Sequence, residues 1–325
     1  KIIYIVYFIM MNVLVTGGTG MVGYGLKRYI QSSSNLQNKF KFIFLSSAEC
    51  DLTNYDKTIA FFKKTKPDYV IHLAACVGGL YRNMNFKVDM YEKNTLINYN
   101  VLKCSHDLGV KKVVSCLSTC IFPDKTSYPI NEKMLHNGPP HSSNDAYAYS
   151  KRMLEIHSKA YQEQYGDNFI CVIPTNIYGE NDNYSLEDGH VIPALIHKCY
   201  IAKENGEKFV VRGTGKPLRQ FIYAYDLARL LMWVLESYHD KESIILSVNE
   251  DDEVSIKDIA TLIAKEFKYE HMMEFDSTYS DGQFKKTSDN SKLMNLNPNF
   301  EFTKMEDGMK KSVKWFIEHF EECRK

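Results

Sequence analysis

No charge sign dominates this sequence: 40 basic and 40 acidic residues give a formal net charge of +0. Generic nucleic-acid and membrane-surface binders carry a basic excess, so both classes are disfavoured, while a local basic pocket for phosphates stays open. There is no Cys-x-x-Cys pair. The eight cysteines, Cys50, Cys76, Cys104, Cys116, Cys120, Cys171, Cys199 and Cys323, lie mostly in apolar runs. That is the pattern of buried thiols in a reducing cytosol, and it speaks against disulfides or a zinc site. The apolar stretch Lys1–Met10 is too short to span a bilayer and lacks a small-residue cleavage site. It reads as an upstream extension, with Met11 the expected start. No metal, nucleic acid or membrane partner is expected, and the expected location is cytoplasmic.

What is present points to a globular α/β chain. Its 325 residues can bury one large core or two modest ones, and 25% charged with 13% aromatic residues is an ordinary folded composition. Asn12–Thr16 reads as a short buried strand, followed by Gly17-Gly18-Thr19-Gly20-Met21-Val22-Gly23. Val22, Leu26, Tyr29 and Ile30 then recur at helical spacing. A glycine run between strand and helix lets the backbone approach a pyrophosphate, which rests on the helix N-terminus. Further strands are expected at 41–45, 69–75, 112–117 and 169–173. Helices are expected from Asp51-Leu52 to about Lys64 and along Ile97, Val101, Cys104 and Leu108, ending at Gly109. Strands alternating with helices predict a parallel, doubly wound sheet. Its ligand crevice should lie at the strand ends marked by Gly17, Ala75, Ser118 and Pro174.

After about residue 178 the texture changes. A polar loop spans 182–189, and His190 opens an apolar helix with Pro193 in its first turn. Ser255-x-x-Asp258 and Thr303-x-x-Glu306 read as capping boxes, and Asp281-Gly282 as a turn. The expected division is a dinucleotide domain over 11–178, with sheet returns from about 214–250, and a smaller, mainly substrate-binding lobe over 179–325.

The densest chemistry is Tyr147-x-x-x-Lys151. On a helix both side chains share a face, and a neighbouring ammonium is expected to pull the phenol below its usual value of about 10. Ser118-x-Cys120 follows the fourth strand and adds a hydroxyl and a thiol. Tyr149 faces elsewhere, Cys116 is expected to be core, and Lys285-Lys286 is expected to be a solvated face.

Together these residues resemble the extended short-chain dehydrogenase/reductases over nearly the whole chain. Within them they resemble the epimerase/reductases of GDP-sugars. The narrower likeness rests on Ala-Ala-Cys-Val-Gly-Gly (74–79), Ser-Thr-Cys-Ile-Phe-Pro (118–123), Pro-Thr-Asn-Ile-Tyr-Gly (174–179), Gly-His-Val-Ile-Pro-Ala (189–194), Arg-Gln-Phe (219–221) and Asp-Gly-Gln-Phe-Lys-Lys (281–286). The resemblance implies a Rossmann-type fold, NADP(H) as cofactor, and a GDP-sugar substrate with a C4 ketone. It implies epimerisation at C3 and C5 by Cys120 and His190, then reduction at C4 with Ser118, Tyr147 and Lys151, giving GDP-fucose. Cofactor contacts are implied for Gly17–Gly23, Asp51, Leu52, Leu73, Ala74, Ala75, Ser118, Tyr147, Lys151, Pro174, Thr175, Asn176, Ile177 and His190. Substrate contacts are implied for Lys198, Arg212, Arg219 and Asp281.

The family also implies a homodimer in which helices near 92–108 and 147–165 form a four-helix bundle, with Met153 and Leu154 facing outward. Two positions depart from its pattern. Thr19 stands where bacterial relatives carry an arginine for the 2′-phosphate, leaving Ser46-Ser47 with hydroxyls only, and Arg212 stands where tryptophan is common. Three alternatives remain: a GDP-mannose 3,5-epimerase with bound NAD, a sugar-nucleotide 4,6-dehydratase, and a non-catalytic dinucleotide sensor. The first would place a lysine at His190, the second an Asp-Glu pair at Cys120-Ile121, and the third would lack the Tyr-Lys pair.

Overall fold

The structure, a computed structural model, describes residues 10–279, 281 and 284–325. Apart from Met10, the expected upstream extension lies outside the described residues. So does Gly282 of the expected turn.

The first strand, β1 (Met11–Thr16), is completely buried from Val13 to Thr16. A strand with no exposed face belongs in a sheet covered on both sides. The glycine loop leads from it into α1 (Met21–Gln31). Then come α2 (Ser34–Lys39), β2 (Phe40–Leu45), α3 (Tyr55–Thr65) and β3 (Tyr69–His72). Next, α4 (Leu80–Asn85) and α5 (Lys87–Asp107) cross to β4 (Lys112–Cys116), and α6 (Asp145–Tyr165) to β5 (Phe169–Pro174). The chain continues through β6 (Asn176–Tyr178), α7 (Val191–Asn205), β7 (Phe209–Arg212), β8 (Leu218–Arg219), β9 (Phe221–Tyr223), α8 (Ala224–Ser237) and β10 (Ile244–Leu246). Then follow β11 (Val254–Ser255), α9 (Ile256–Phe267), β12 (Met273–Asp276), α10 (Ser291–Leu296) and α11 (Met305–Glu318).

Six strands form one sheet in the order β10-β5-β4-β3-β1-β2, with every neighbouring pair parallel. This is the expected doubly wound sheet, and β10 is its late return. Strand order reverses between β1 and β3, which opens a crevice at their carboxyl ends. The glycine loop fits there because two backbones come very close. A Cβ on Gly17, whose φ is +67°, would lie 2.8 Å from the Ala74 nitrogen, and one on Gly23 would lie 2.4 Å from the Gly18 carbonyl oxygen.

One apolar layer joins the sheet to α1 and α8 through residues such as Leu26, Leu227 and Leu231. The opposite layer joins it to α5 and α6 through Val101, Leu102 and Leu154. A third core, with Phe209, Ile263 and Phe316, gathers α7, α9, α11 and β7. There β7 pairs with β12, while β6–β9 and β8–β11 are short separate ladders.

Several local expectations shift. The helix expected from Asp51 begins at Tyr55, because Asn54 caps it by accepting the Lys57 N–H at 2.9 Å. The third strand ends at His72, and residues 73–79 run on as irregular backbone. Ser255 and Asp258 do form a capping box. Thr303 does not cap α11; its N–H and hydroxyl both donate to Asp226, at 2.6 and 3.0 Å. Leu154 does not face outward: it is 1% exposed and belongs to the core, because α6 turns that side toward the sheet.

One buried cation ties sheet to helix. The Lys112 Nζ donates to the carbonyls of Val234, Leu235 and Tyr238, at 2.5, 3.3 and 2.6 Å, where α8 ends. A positive charge there meets both the orphan carbonyls and the negative end of the helix dipole. Lys112→Met removes that cap and leaves buried acceptors unpaired, at a cost of about 2–3 kcal/mol. Urea denaturation should show a correspondingly lower midpoint with an unchanged slope; an unaltered midpoint would refute the anchoring role.

Candidate active site

A cavity of about 800 Å³ opens at the carboxyl ends of β1, β3, β4 and β5. Its walls hold Gly17, Thr19, Gly20, Met21 and Val22 from the glycine loop and Asp51-Leu52 beyond β2. They also hold Leu73, Ala74 and Ala75 after β3, Ser118 after β4, and Pro174–Ile177 after β5. Tyr147 and Lys151 enter from α6, and His190 from the start of α7. The sequence-predicted dinucleotide contacts thus converge, except for Gly18 and Gly23. Gly18 backs onto Phe44 and Gly23 onto Gly18, so both serve the turn and not the wall.

Helix α6 sets the reactive geometry. Its first turns carry Tyr147 and Lys151 on one face, as the spacing requires. The Lys151 Nζ donates to the Cys116 carbonyl at 2.8 Å and lies 5.9 Å from the centre of the Tyr147 ring. Cys116 is buried as expected, yet it borders the cavity. The expected depression of the phenol is not what the site produces: burial, reinforced by the field of Cys120, pushes Tyr147 well above its ordinary value. Burial likewise lowers Lys151. Desolvation disfavours both charged forms and is the largest influence on each.

A short turn, Thr119–Ile121, carries Cys120. Ser118 caps it by accepting the Cys120 N–H at 3.4 Å, and Arg152 on α6 clamps it by donating to the Ile121 carbonyl at 2.6 Å. Cys120 lies next to Ser118 but is not among the cavity-lining residues. Burial raises its thiol, while Lys286, the Ser118 hydroxyl and Lys151 oppose the rise. Lys286 is therefore not on a solvated face. The backbone around it is pinned by Leu218 N–H to Phe284 O and Ile130 N–H to Thr287 O, at 2.8 and 2.9 Å, which turns it toward Cys120 and Arg219. His190 takes the N-cap position of α7 at the wall without a side-chain cap bond, and desolvation lowers its imidazole.

The four substrate candidates divide. Arg219 donates to the Leu218 carbonyl at 2.7 Å and lies in the field of Glu253 and Tyr128, on the Cys120 side. Arg212 stacks over Tyr279 at 4.7 Å, and its charge reaches Lys198, which burial also lowers. Asp281 accepts from the Thr214 N–H and hydroxyl at 2.8 and 2.5 Å, tying residue 281 to the loop after β7. None of the four lines the dinucleotide cavity.

Three features escape a sequence reading. His72, the lone polar residue in an apolar strand, is fully buried. Its Nδ1 pairs with the Thr16 hydroxyl at 2.7 Å, and its Nε2 with the Asn98 carbonyl oxygen at 3.1 Å. Asn98 then donates to the Ser150 carbonyl at 3.3 Å, so β1, β3, α5 and α6 share one polar thread beneath Tyr147 and Lys151. Burial and Lys151 push His72 down to about 3, which keeps it neutral. Asp182 and Arg324 also line the cavity, and nothing local in the sequence marks either.

Residues 13–248 match the NAD dependent epimerase/dehydratase family. A GDP-L-fucose synthase from Dictyostelium discoideum is 51% identical over 314 residues, covering 97% of this chain and 98% of that protein. A probable GDP-L-fucose synthase from Drosophila melanogaster is 48% identical, covering 97% and 100%. A crystal structure of a GDP-L-fucose synthetase from Naegleria fowleri bound to NADP superposes with a TM-score of 0.93 at 49% identity, covering 97% and 95%.

Asp182 gives the site a pH signature. It is 5% exposed, one carboxyl oxygen accepts the Asn183 N–H at 2.7 Å, and the other has no hydrogen-bond partner. Burial pushes the carboxyl up to about 7, against the Asn183 N–H and the Arg324 charge. A carboxyl raised in the folded state stabilises the fold below its unfolded pKa of about 4, and that contribution is lost as pH rises through 7. The protein should therefore lose stability between pH 5 and 8, and Asp182→Asn should flatten that slope by about 2–4 kcal/mol. Melting curves at pH 5 and 8 decide it; parallel behaviour of the two proteins would rule out a raised carboxyl.

Proposed function

The chain belongs to the NAD dependent epimerase/dehydratase family, and we propose that it converts GDP-4-keto-6-deoxy-mannose to GDP-L-fucose, epimerising C3 and C5 and then reducing C4 with NADPH. The observation that carries this reading is the convergence of Ser118, Tyr147, Lys151 and His190 on one cavity wall, with Cys120 beside Ser118. A ketone at C4 acidifies the hydrogens on both neighbouring carbons, so one carbonyl serves both epimerisations. Each needs a base on one face and an acid on the other. Cys120 is the base, its thiolate favoured by Lys286 and Lys151 against the cost of burial. His190, at the cavity wall, gives the opposing proton as the imidazolium, and its desolvated imidazole, lowered below the ordinary value, gives that proton up readily and is reprotonated from solvent between the two epimerisations.

The residues present fit a dinucleotide. Gly17 leaves no room for a side chain against Ala74, and Gly20 caps α1 without a side-chain bond, so the first helical N–H groups are free for a diphosphate. When bound, NADPH supplies the hydride that reduces C4. Tyr147, which burial keeps protonated, donates the proton to the developing alkoxide, with Ser118 positioning the oxygen and Lys151 supplying charge nearby. The dinucleotide is assigned to residues 11–178 with the returns at 214–250, and the sugar nucleotide to 179–325. Arg219 and Lys286 take the diphosphate, while Lys198, Arg212 and Asp281 take the more distant part of the substrate. The place of action is the cytoplasm; among the described residues no helix is long and apolar enough to cross a membrane.

Purified protein with NADPH and GDP-4-keto-6-deoxy-mannose should oxidise the cofactor and yield GDP-fucose. Tyr147→Phe should cut reduction by about 10²–10⁴-fold while solvent deuterium still enters C3 and C5. Cys120→Ser should do the reverse, abolishing exchange first. Normal exchange at both carbons in Cys120→Ser would remove the base assignment.

The assembly is a homodimer formed by the outer faces of α5 and α6. Leu96, Tyr99, Met153 and Ile156 are 46, 47, 46 and 44% exposed there, an apolar area that a partner copy would cover. Ile156→Glu should convert the dimer to monomer in sedimentation experiments; a native monomer, or a variant that remains dimeric, would contradict this surface.

A further inference from the structure

The glycine loop of this chain carries no cation: its third position is Thr19, whose carbonyl accepts the Asn181 Nδ2–H at 3.0 Å. Facing the loop across that bond is a segment assembled from two remote parts of the sequence. Asn183 forms a parallel bridge with Arg324, and the Tyr184 N–H donates to the Arg324 carbonyl at 2.8 Å. The Arg324 guanidinium reaches back over this bridge and donates to the Asn181 carbonyl at 2.6 Å. That contact uses one of its five N–H groups, and the side chain stands in the cavity wall. Beside it lies Asp182, buried to 95%, with one carboxyl oxygen lacking any partner and the residue itself lining the same cavity.

A buried polar atom without a partner is costly and calls for an explanation. Here the residues around it supply one. A cation with free donors and an unpartnered carboxyl face the first turn of α1 across the loop that must hold a diphosphate. Forked N–H donors match phosphate oxygens well. A neutral carboxyl adds an O–H donor, which a phosphate oxygen can accept.

We propose that Arg324 and Asp182 form the second half of the dinucleotide's diphosphate clasp, opposite the amides of Met21 and Val22. This rests on the dinucleotide reading above and adds to it a specific role for the segment after α11. Through the Asn183–Arg324 bridge, docking of that segment and cofactor binding become one event. The shared chemistry is a diphosphate, which the GDP-sugar also carries; the position beside Thr19 assigns it to the dinucleotide.

The test is a fluorescence titration of the full chain with NADPH, NADH and GDP alone, at low and high salt, for the parent protein and four variants. Arg324→Ala should weaken NADPH and NADH by the same factor, about 10–50-fold, and flatten the salt dependence. Arg324→Lys should recover part of the loss, which a merely unfolded segment would not. Asp182→Asn, which keeps a neutral donor, should bind within about 3-fold of the parent, and Asp182→Ala should weaken it by about 5–10-fold. Unchanged dinucleotide affinity in Arg324→Ala, with an unchanged melting curve, overturns the proposal. So does a loss confined to NADPH, which would place the cation at the 2′-phosphate, or a loss confined to GDP, which would place it at the substrate. Failure of the parent protein to bind either dinucleotide overturns the functional reading itself.

Discussion

An ammonium held away from bulk water, with one carbonyl as its partner, organises this molecule. Lys151 donates to the Cys116 carbonyl at the end of β4, and that bond fixes the height of α6 over the sheet. Its charge lowers the thiols of Cys116, Cys120 and Cys171 against their burial and helps keep His72 neutral. The polar thread from Thr16 through His72 and Asn98 to Ser150 secures the same helix from below. A buried charge is expensive unless its surroundings are arranged for it. Here the arrangement sets a buried phenol, a cation and a thiol-bearing turn at fixed spacing, the geometry on which the proposed chemistry rests.

The proposed chemistry draws on both halves of the chain. Parallel strands deliver loops to one crevice, and those loops form the dinucleotide wall. The strap after β12 approaches from the other side. The Ser288 N–H donates to the buried Gln220 side chain at 2.7 Å and the Thr287 hydroxyl to Glu253 at 2.7 Å, which holds Lys286 in place beside Cys120. In the proposed roles the reducing groups Ser118, Tyr147 and Lys151 come from the end of β4 and from α6, while His190 comes from the start of α7.

Much of this was legible in the sequence, for identifiable reasons. Strand–glycine–helix order and the four-residue step from Tyr147 to Lys151 are local patterns, and local patterns survive folding. The doubly wound sheet followed from alternation, and the cavity-lining set from the strand ends. The sign of the Tyr147 shift did not follow. It depends on how much water the walls exclude, and those walls come from several distant strand ends. Lys286 was misread because a Lys-Lys pair looks solvated until the ladder contacts of Phe284 and Thr287 fix which side faces inward. Thr303 offered a cap by pattern and spent its donors on Asp226. Asp182 and Arg324 become neighbours only through a bridge between the loop after β6 and the residues after α11.

The distribution of thiols has a consequence for how the protein ages. Cys104, Cys171 and Cys199 are sealed in apolar cores and pushed up to about 12, and Cys116 up to about 11, so none offers an oxidant an accessible thiolate. Of the three half-buried thiols, Cys76 lines the ligand cavity and Cys120 follows its wall, while Cys323 packs against the third core and donates to the Phe320 carbonyl at 3.5 Å. Peroxide damage is thereby channelled to the mouth of the site, where bound nucleotides act as a shield. An enzyme saturated with its ligands resists such wear, and one starved of them is inactivated first.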